Sequence, residues 1–529
     1  MQTVPAQTEQ PLSAESTSHP KGLSVLFTTE MWERFSFYGM RAIMKLYMVK
    51  ALLFSEADSS NLYGSYLGLV YLTPLLGGYV ADRYWGNRRS IMIGGLMMAL
   101  AQFVLFASAS AYQNVGFSHM AFYTGLALLI FGNGFFKPNI SSMVGNLYPA
   151  RDRRIDVAYT IFYMGINVGA TFAPIICGYF GDTGRPADFK WGFLLAGIGM
   201  LLGTATFEFL KGRFVVTPEG GPLGAKPERL PAQSAADAAV SNRKNLMLVA
   251  LFAGVFALLY FLVLDQKIID SLIYSAMVVV PIAVLADKSL TPVERRKINV
   301  VLIIGFFVIF FWAAFEQAGN SLTTFADKQT DRQLGSFLVP ASFFQTINPF
   351  GIILFAPVFA VLWTWLSKRG WEPSSPLKMA YGLALLAVGY LIIAFGVKDV
   401  TATTKVSMFW LTAMYLVHTF GELCLSPIGL ALVNKLAPAR VASLMMAVWF
   451  LAIATGNKFS GTLGALYPEP GKPAPHFAGF EITGLYEFFM VFVVLCGATA
   501  FLLLLIYRKL TKMMEDEPAT GVTPMLEQA

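Results

Sequence analysis

Seven ionisable residues stand inside stretches that are otherwise apolar: Glu30, Glu33, Arg34, Arg41, Lys137, Glu316 and Glu422. Carboxylates and cations in such surroundings suit two kinds of chemistry, the uptake and release of protons and the binding of charged solutes. At roughly 2.5–3.5 kcal/mol for each intramembrane charge, seven unpaired groups would cost on the order of 20 kcal/mol. Four acids and three bases allow pairing, so the expected cost is much smaller.

Their spacing narrows the reading. The first apolar segment contains TTEMWERFSFYGMRAIMKLY. At about 100° per residue, Glu30, Glu33, Arg34, Phe37 and Arg41 fall within an arc of roughly 100°, with Tyr38 at its edge. One stripe of two acids, two bases and a phenol must face a polar cavity. A simple Glu30–Arg34 pair at i, i+4 would leave Glu33 and Arg41 unexplained.

Lys137 precedes Pro138, which removes a backbone donor and favours a bend. Tyr163 and Asn167 are spaced i, i+4. Trp312, Glu316, Gly319 and Thr323 follow at i, i+4, i+7 and i+11, and Glu422 lies one turn from Ser426. His418 is expected to be a packing residue. Trp312 and Trp449 suit either packing or a pocket wall.

The first half of the chain thus supplies Arg34, Arg41 and Lys137 with two acids, and the second half supplies only Glu316 and Glu422. A cavity between them is positive on one wall and negative on the other, which matches a zwitterion such as a short peptide. The same groups can pair when the cavity closes, and protonating a carboxylate would break such a pair.

The elements that must position these residues are membrane helices. The 529 residues are 56% hydrophobic and 13% charged, against about 25% charged in a soluble domain. The class is all-α, with fourteen spans of about 20 apolar residues. They lie near 24–53, 61–82, 90–112, 118–145, 157–180, 191–212, 244–263, 268–287, 297–326, 340–366, 376–396, 406–436, 441–465 and 483–508.

Basic residues alternate from loop to loop: Arg83, Arg88 and Arg89; Arg151, Arg153 and Arg154; Lys211 and Arg213; Arg295, Arg296 and Lys297; Lys368 and Arg369; Lys435 and Arg440; Arg508, Lys509 and Lys512. By the positive-inside rule both termini are cytoplasmic.

The expected organisation is a tail over 1–23, a six-helix bundle over 24–212, a flexible Pro/Gly/Ala-rich linker over 213–243, two added helices over 244–287, a second bundle over 297–512 and a tail over 513–529. Asp265, Lys267 and Asp270 sit near the turn of the added pair without a buried charge cluster, so no chemistry is expected there. Cys177, Cys424 and Cys496 read as packing residues. The net charge of +7 is explained by the basic loops rather than by nucleic acid. No phosphate loop, metal cluster or nucleophile–base pair is present, so neither an enzyme nor a cofactor is expected.

The motifs resemble those of the proton-coupled oligopeptide transporter (POT) family of the major facilitator superfamily. Glu30-Met31-Trp32-Glu33-Arg34 followed by Phe35-Ser36-Phe37-Tyr38-Gly39 is similar to the family's ExxER element and F-x-Y-Y-G. Gly77 to Arg89 resembles the superfamily loop between helices 2 and 3. Phe136-Lys137-Pro138-Asn139 and Phe162-Tyr163 to Asn167 resemble two further signatures.

The resemblance implies a major facilitator fold with two extra helices, and import of di- and tripeptides with protons across a bacterial inner membrane by alternating access. It implies proton coupling by Glu30, Glu33, Arg34 and Lys137. Arg41, Lys137 and Tyr38 would attract the peptide carboxylate, Glu422 the amine, and Asn167 and Asn348 the backbone. Tyr71, Trp312 and Trp449 would line side-chain pockets, with Ser426 beside them. Arg41–Glu316 and Lys137–Glu422 would be the extracellular-side gate pairs.

A monomer is expected. Phe37 departs from the motif by lacking a hydroxyl, and helix 2 has no histidine. The alternative is a proton-coupled carrier of nitrate, an amino acid or a drug.

Overall fold

The computed structural model describes residues 18–149, 152–226, 235–398, 400, 404–438 and 441–515. Residues 1–17 and 516–529 of the tails, 227–234 of the linker, and Arg151 and Arg440 of the basic loops lie outside the described residues.

The chain forms α1 Lys21–Lys50, α2 Glu56–Leu72, α3 Pro74–Val80, α4 Asn87–Ser110, α5 Val115–Asn146, α6 Ile155–Gly181, α7 Phe189–Phe214, α8 Ala235–Leu258, α9 Ile268–Leu285 and α10 Pro292–Phe315. Then follow α11 Ser321–Lys328, α12 Ile347–Lys368, α13 Ser375–Gly396, α14 Met408–Leu436, α15 Ala442–Gly464 and α16 Leu485–Met514. Among the described residues, eleven helical runs are long and apolar enough to cross a membrane. The run Glu56–Ser110 holds two passes, divided at Gly86, where φ is +73°. Together with α1 and α15 this fits fourteen passes. Helix α1 is not among the eleven because of its own charged stripe.

Two packing groups emerge. In the first, α1 lies against α6 and α7, and α4 against α5 and α7; in the second, α13 packs on α14 and α16, and α10 on α15 and α16. Small residues let the helices approach. A Cβ on Gly77 of α3 would stand 1.9 Å from the Gly134 carbonyl oxygen of α5. Gly77→Ala therefore has to push α3 off α5, at about 1–3 kcal/mol. A lowered melting temperature in detergent is the expected result, and an unchanged one would show that the contact yields freely.

The two groups meet along α2 and α15 and along α6 and α12. Many of the polar contacts between them gather at the end holding the α1–α2 loop. There Lys50 Nζ stands 2.7 Å from Asp327, and the Ser342 N–H donates to Asp182 at 3.1 Å. Burial holds the Asp182 carboxyl above the usual aspartate range, opposed by Lys50.

Three expectations need correction. The helix expected over 297–326 breaks: α10 stops at Phe315, Glu316–Gly319 is a 3-10 turn, and α11 restarts at Ser321. Glycine is required at the break, because a Cβ on Gly319 would stand 2.0 Å from the Tyr63 hydroxyl. The Gln317 and Asn320 amides donate to the Ser460 carbonyl at 2.8 and 3.3 Å. Thr323, expected on one stripe with Trp312, instead accepts from Gln345 at 2.9 Å.

Secondly, the start of the linker is ordered. Arg88 Nε donates to the Leu223 carbonyl at 2.6 Å, Arg88 Nη2 to those of Lys211 and Val215, and the Arg88 N–H to that of Gly224. Helix α8 also begins at Ala235 rather than near 244. Thirdly, the added helices carry a buried charge: Asp270 lies 3.0 Å from Lys458 of α15.

Candidate functional site

The stripe on α1 folds as one electrostatic unit. Arg34 pairs with Glu30 at 3.3 Å and binds Glu33 through two hydrogen bonds, Nη2 to Oε1 at 2.7 Å and Nε to Oε2. Asn133 of α5 donates to Glu33 at 3.4 Å. All three charged side chains are buried. The second oxygen of Glu30 has no protein partner, which leaves it open to a proton or water. Phe37 sets its ring 5.0 Å from the Arg34 guanidinium, so the residue that departs from the family motif packs on the ExxER arginine.

Two turns along α1, Arg41 joins the two packing groups. Its Nη2 is 2.7 Å from Glu316, and its Nε donates to the Tyr63 hydroxyl at 2.7 Å. The Tyr38 ring stands 5.5 Å from the guanidinium. The break in α10 is what presents the Glu316 carboxylate to α1.

Lys137 places its ammonium 4.4 Å from the Tyr71 ring centroid, and its charged neighbours are Arg34, Glu30, Glu33 and Glu316. Across the site, Glu422 accepts from Asn348 at 2.8 Å. Tyr71 carries Lys137 over its ring, with Arg34, Arg41, Glu316 and Glu422 as further charged neighbours.

The expected Lys137–Glu422 pair is not among the ion pairs of the described residues. Each group has a different partner, the Tyr71 ring for Lys137 and Asn348 for Glu422.

The remaining expected residues divide. Tyr38, Tyr71, Lys137, Trp312, Asn348 and Ser426 are half-buried, and the Trp312 Nε1 and Ser426 Oγ atoms lack protein partners. Asn167 spends its amide on the Tyr163 carbonyl at 3.0 Å. Trp449 is buried over Gly429, where any Cβ would collide with its ring at 2.3 Å. His418 is a packing residue, bonded to the Leu386 carbonyl at 3.2 Å.

Sequence reasoning missed a second layer of charge, toward the α1–α2 loop. Lys45 is buried, and its Nζ donates to Ser59 and Ser60 at 2.6 and 2.7 Å and lies 3.2 Å from Glu56. Glu56 also meets Lys328 at 2.6 Å and Thr324 at 2.9 Å, both on α11. Lys45 follows Arg41 by one turn, so extending the stripe would have found it. Glu56 was hidden because the second span was expected to begin only at 61.

Removing one partner of a buried pair costs about 3–5 kcal/mol, and tenfold corresponds to about 1.4 kcal/mol. With Glu56→Gln, a cysteine at the buried Ala341 should react at least about tenfold faster with a maleimide applied from the outer side. An unchanged rate would remove Glu56 from the closure.

The chain matches the POT family (PTR2) over residues 88–476. It is 32% identical to the peptide transporter YePEPT of Yersinia enterocolitica over 517 residues, covering 93% of this chain and 95% of that one. It is 30% identical to dipeptide and tripeptide permease A of Escherichia coli over 525 residues, 98% of each chain. Among solved structures, a POT family transporter in complex with a thioalcohol-conjugated peptide superposes with a TM-score of 0.77 at 29% identity, covering 94% of this chain and 98% of the other.

Proposed function

The chain belongs to the POT family, and from that premise we propose that it carries di- and tripeptides into the cell together with protons, by alternating access. It is a multi-pass membrane transporter of the major facilitator fold and not an enzyme. The observation that supports the reading is the partition of charge, with Arg41 and Lys137 supplied by the first packing group and Glu422, bonded to Asn348, by the second. A peptide carboxylate would meet the first and its amine the second. The names of the relatives support the same substrate class.

In this reading Glu30, Glu33, Arg34 and Lys137 exchange the proton. The half-satisfied Glu30 carboxyl and the doubly bonded Arg34 supply a buried proton site beside the binding space. Protonation of either acid loosens Arg34, which then competes differently for Lys137 and the space it faces. Tyr38 steers the Arg41 guanidinium, Asn167 contacts the peptide backbone, and Tyr71, Trp312, Ser426 and Trp449 shape the side-chain pockets. Arg41–Glu316 closes the outer end, and Lys137 and Glu422 are free to hold peptide. The membrane is the bacterial inner membrane, both termini are cytoplasmic, and the carrier works as a monomer.

A nitrate carrier would gain nothing from Glu422, because a carboxylate repels an anion. The test of substrate class is counterflow in proteoliposomes loaded with unlabelled dialanine. Labelled dialanine should exchange, and external dialanine and trialanine should compete with it while alanine and nitrate do not. Competition by nitrate or alanine at least as strong as by dialanine would overturn the peptide reading.

A further inference from the structure

The added hairpin of α8 and α9 sits on a joint that transport must work. Helices α2 and α15, one from each packing group, touch through glycines: a Cβ on Gly64 would stand 2.6 Å from the Gly461 Cα. Helix α9 lies over this seam and contacts both α2 and α15. Its Ser271, Ile273 and Ser275 are wholly buried. The Ile273 side chain fills the notch at Gly68 of α2, where a Cβ would meet its Cδ1 at 2.7 Å and the Lys458 Cβ of α15 at 3.4 Å.

The seam also holds an intramembrane ion pair. Asp270 and Lys458 stand 3.0 Å apart with side chains 10% and 2% exposed, and Lys458 reaches the Asn61 carbonyl of α2 at 3.5 Å. A lysine buried in this way requires its counter-ion, and the hairpin supplies it. Helix α8 has the opposite character: the window Leu246–Val263 buries none of its residues. Among the described side chains, the hairpin is therefore held mainly through α9.

All these contacts lie in the half of the seam toward the α1–α2 loop, the outer half when both termini are cytoplasmic, since Asn61 is near the start of α2, Asp270 near the start of α9 and Lys458 near the end of α15. Opening the outer end by alternating access requires α2 and α15 to part there. Ile273 on one side and the ion pair on the other would then be pulled in different directions.

We propose that the hairpin is a clamp on the α2–α15 seam, anchored by Asp270 and Lys458, that biases the carrier toward the conformation closed at its outer end. Asp270 and Lys458 are positioning residues in this role and touch no substrate. The consequence for transport rests on the alternating-access reading, whereas the bias itself is measurable without it.

The test uses the full chain with Cys177, Cys424 and Cys496 replaced by alanine and spin labels at Gln113→Cys and Gln333→Cys, both exposed at the outer end. Pulsed electron–electron distances are recorded in lipid nanodiscs. Asp270→Asn with Lys458→Met removes both charges, so no unpaired ion remains to prevent folding. Coupling energies of this kind correspond to about 5–150-fold changes. The double variant should raise the ratio of long to short distances at least about fivefold, and the exchanged pair Asp270→Lys with Lys458→Asp should bring it back toward the parent.

An unchanged distribution in the double variant would overturn the clamp, as would an exchanged pair as open as the double variant. Dialanine uptake by the parent is followed in parallel. Its absence would count against the transport reading, while the distances alone decide the clamp.

Discussion

Replacing Glu33 with glutamine should abolish peptide accumulation driven by a proton gradient while leaving peptide exchange largely intact. Glu33 makes both strong contacts to Arg34 and accepts from Asn133. Glutamine keeps the shape and one carbonyl acceptor but cannot take up a proton. One proton per peptide across about two pH units supplies about 2.7 kcal/mol, enough for a concentration ratio of about 100. The variant should fall from a value of that order to about unity. Counterflow needs only binding and the conformational cycle, so its rate should stay within about a few-fold of the parent. A variant that still accumulates dialanine against its gradient would remove Glu33 from the coupling.

Glu422→Gln should strike recognition instead. Glu422 is buried, and its described hydrogen bond comes from the neutral amide of Asn348, so the carboxylate is available to a peptide amine. A hydrogen bond to a charged group contributes about 1.5–3 kcal/mol, which predicts a rise in dialanine half-saturation of about 10–150-fold. The diagnostic comparison is N-acetyl-dialanine, which has no amine. The parent should discriminate strongly against it, and Glu422→Gln should largely lose that discrimination. Equal loss of affinity for both compounds would mean that Glu422 shapes the site without reading the amine.

Much of this arrangement was legible in the sequence because charge in lipid has few explanations. The stripe Glu30, Glu33, Arg34 and Arg41 follows from helical periodicity alone, and the contrast between a basic first half and an acidic second half predicts opposed walls. The residues the sequence concealed share a physical reason. The break at Glu316 lies where Gly319 packs against Tyr63 on a distant helix, a contact that no local propensity encodes. Residues 215–224 read as linker, yet they close a turn on themselves, with the Leu223 N–H on the Val215 carbonyl, and Arg88 gathers their carbonyls from a distance in sequence. Asp270 looked like a turn residue, and Lys458, inside the span expected over 441–465, was not among the seven charges singled out. Only the fold brings them together across 188 residues of sequence.

The expected pairing of Lys137 with Glu422 shows the converse. Residue types allow several matches among the same acids and bases, and the conformation selects among them. With Arg41–Glu316, Glu56–Lys328 and Lys50–Asp327 joining the two halves of the chain, Lys137 stands over the Tyr71 ring and Glu422 accepts from Asn348.

The most direct test of the central claim is uptake of labelled dialanine into proteoliposomes under an imposed inward proton gradient, compared with no gradient. The account predicts accumulation well above the external concentration with the gradient, collapse on adding a protonophore, and only equilibration without it. Folded protein that merely equilibrates dialanine under every gradient would contradict proton coupling, and folded protein that moves none would contradict peptide transport itself.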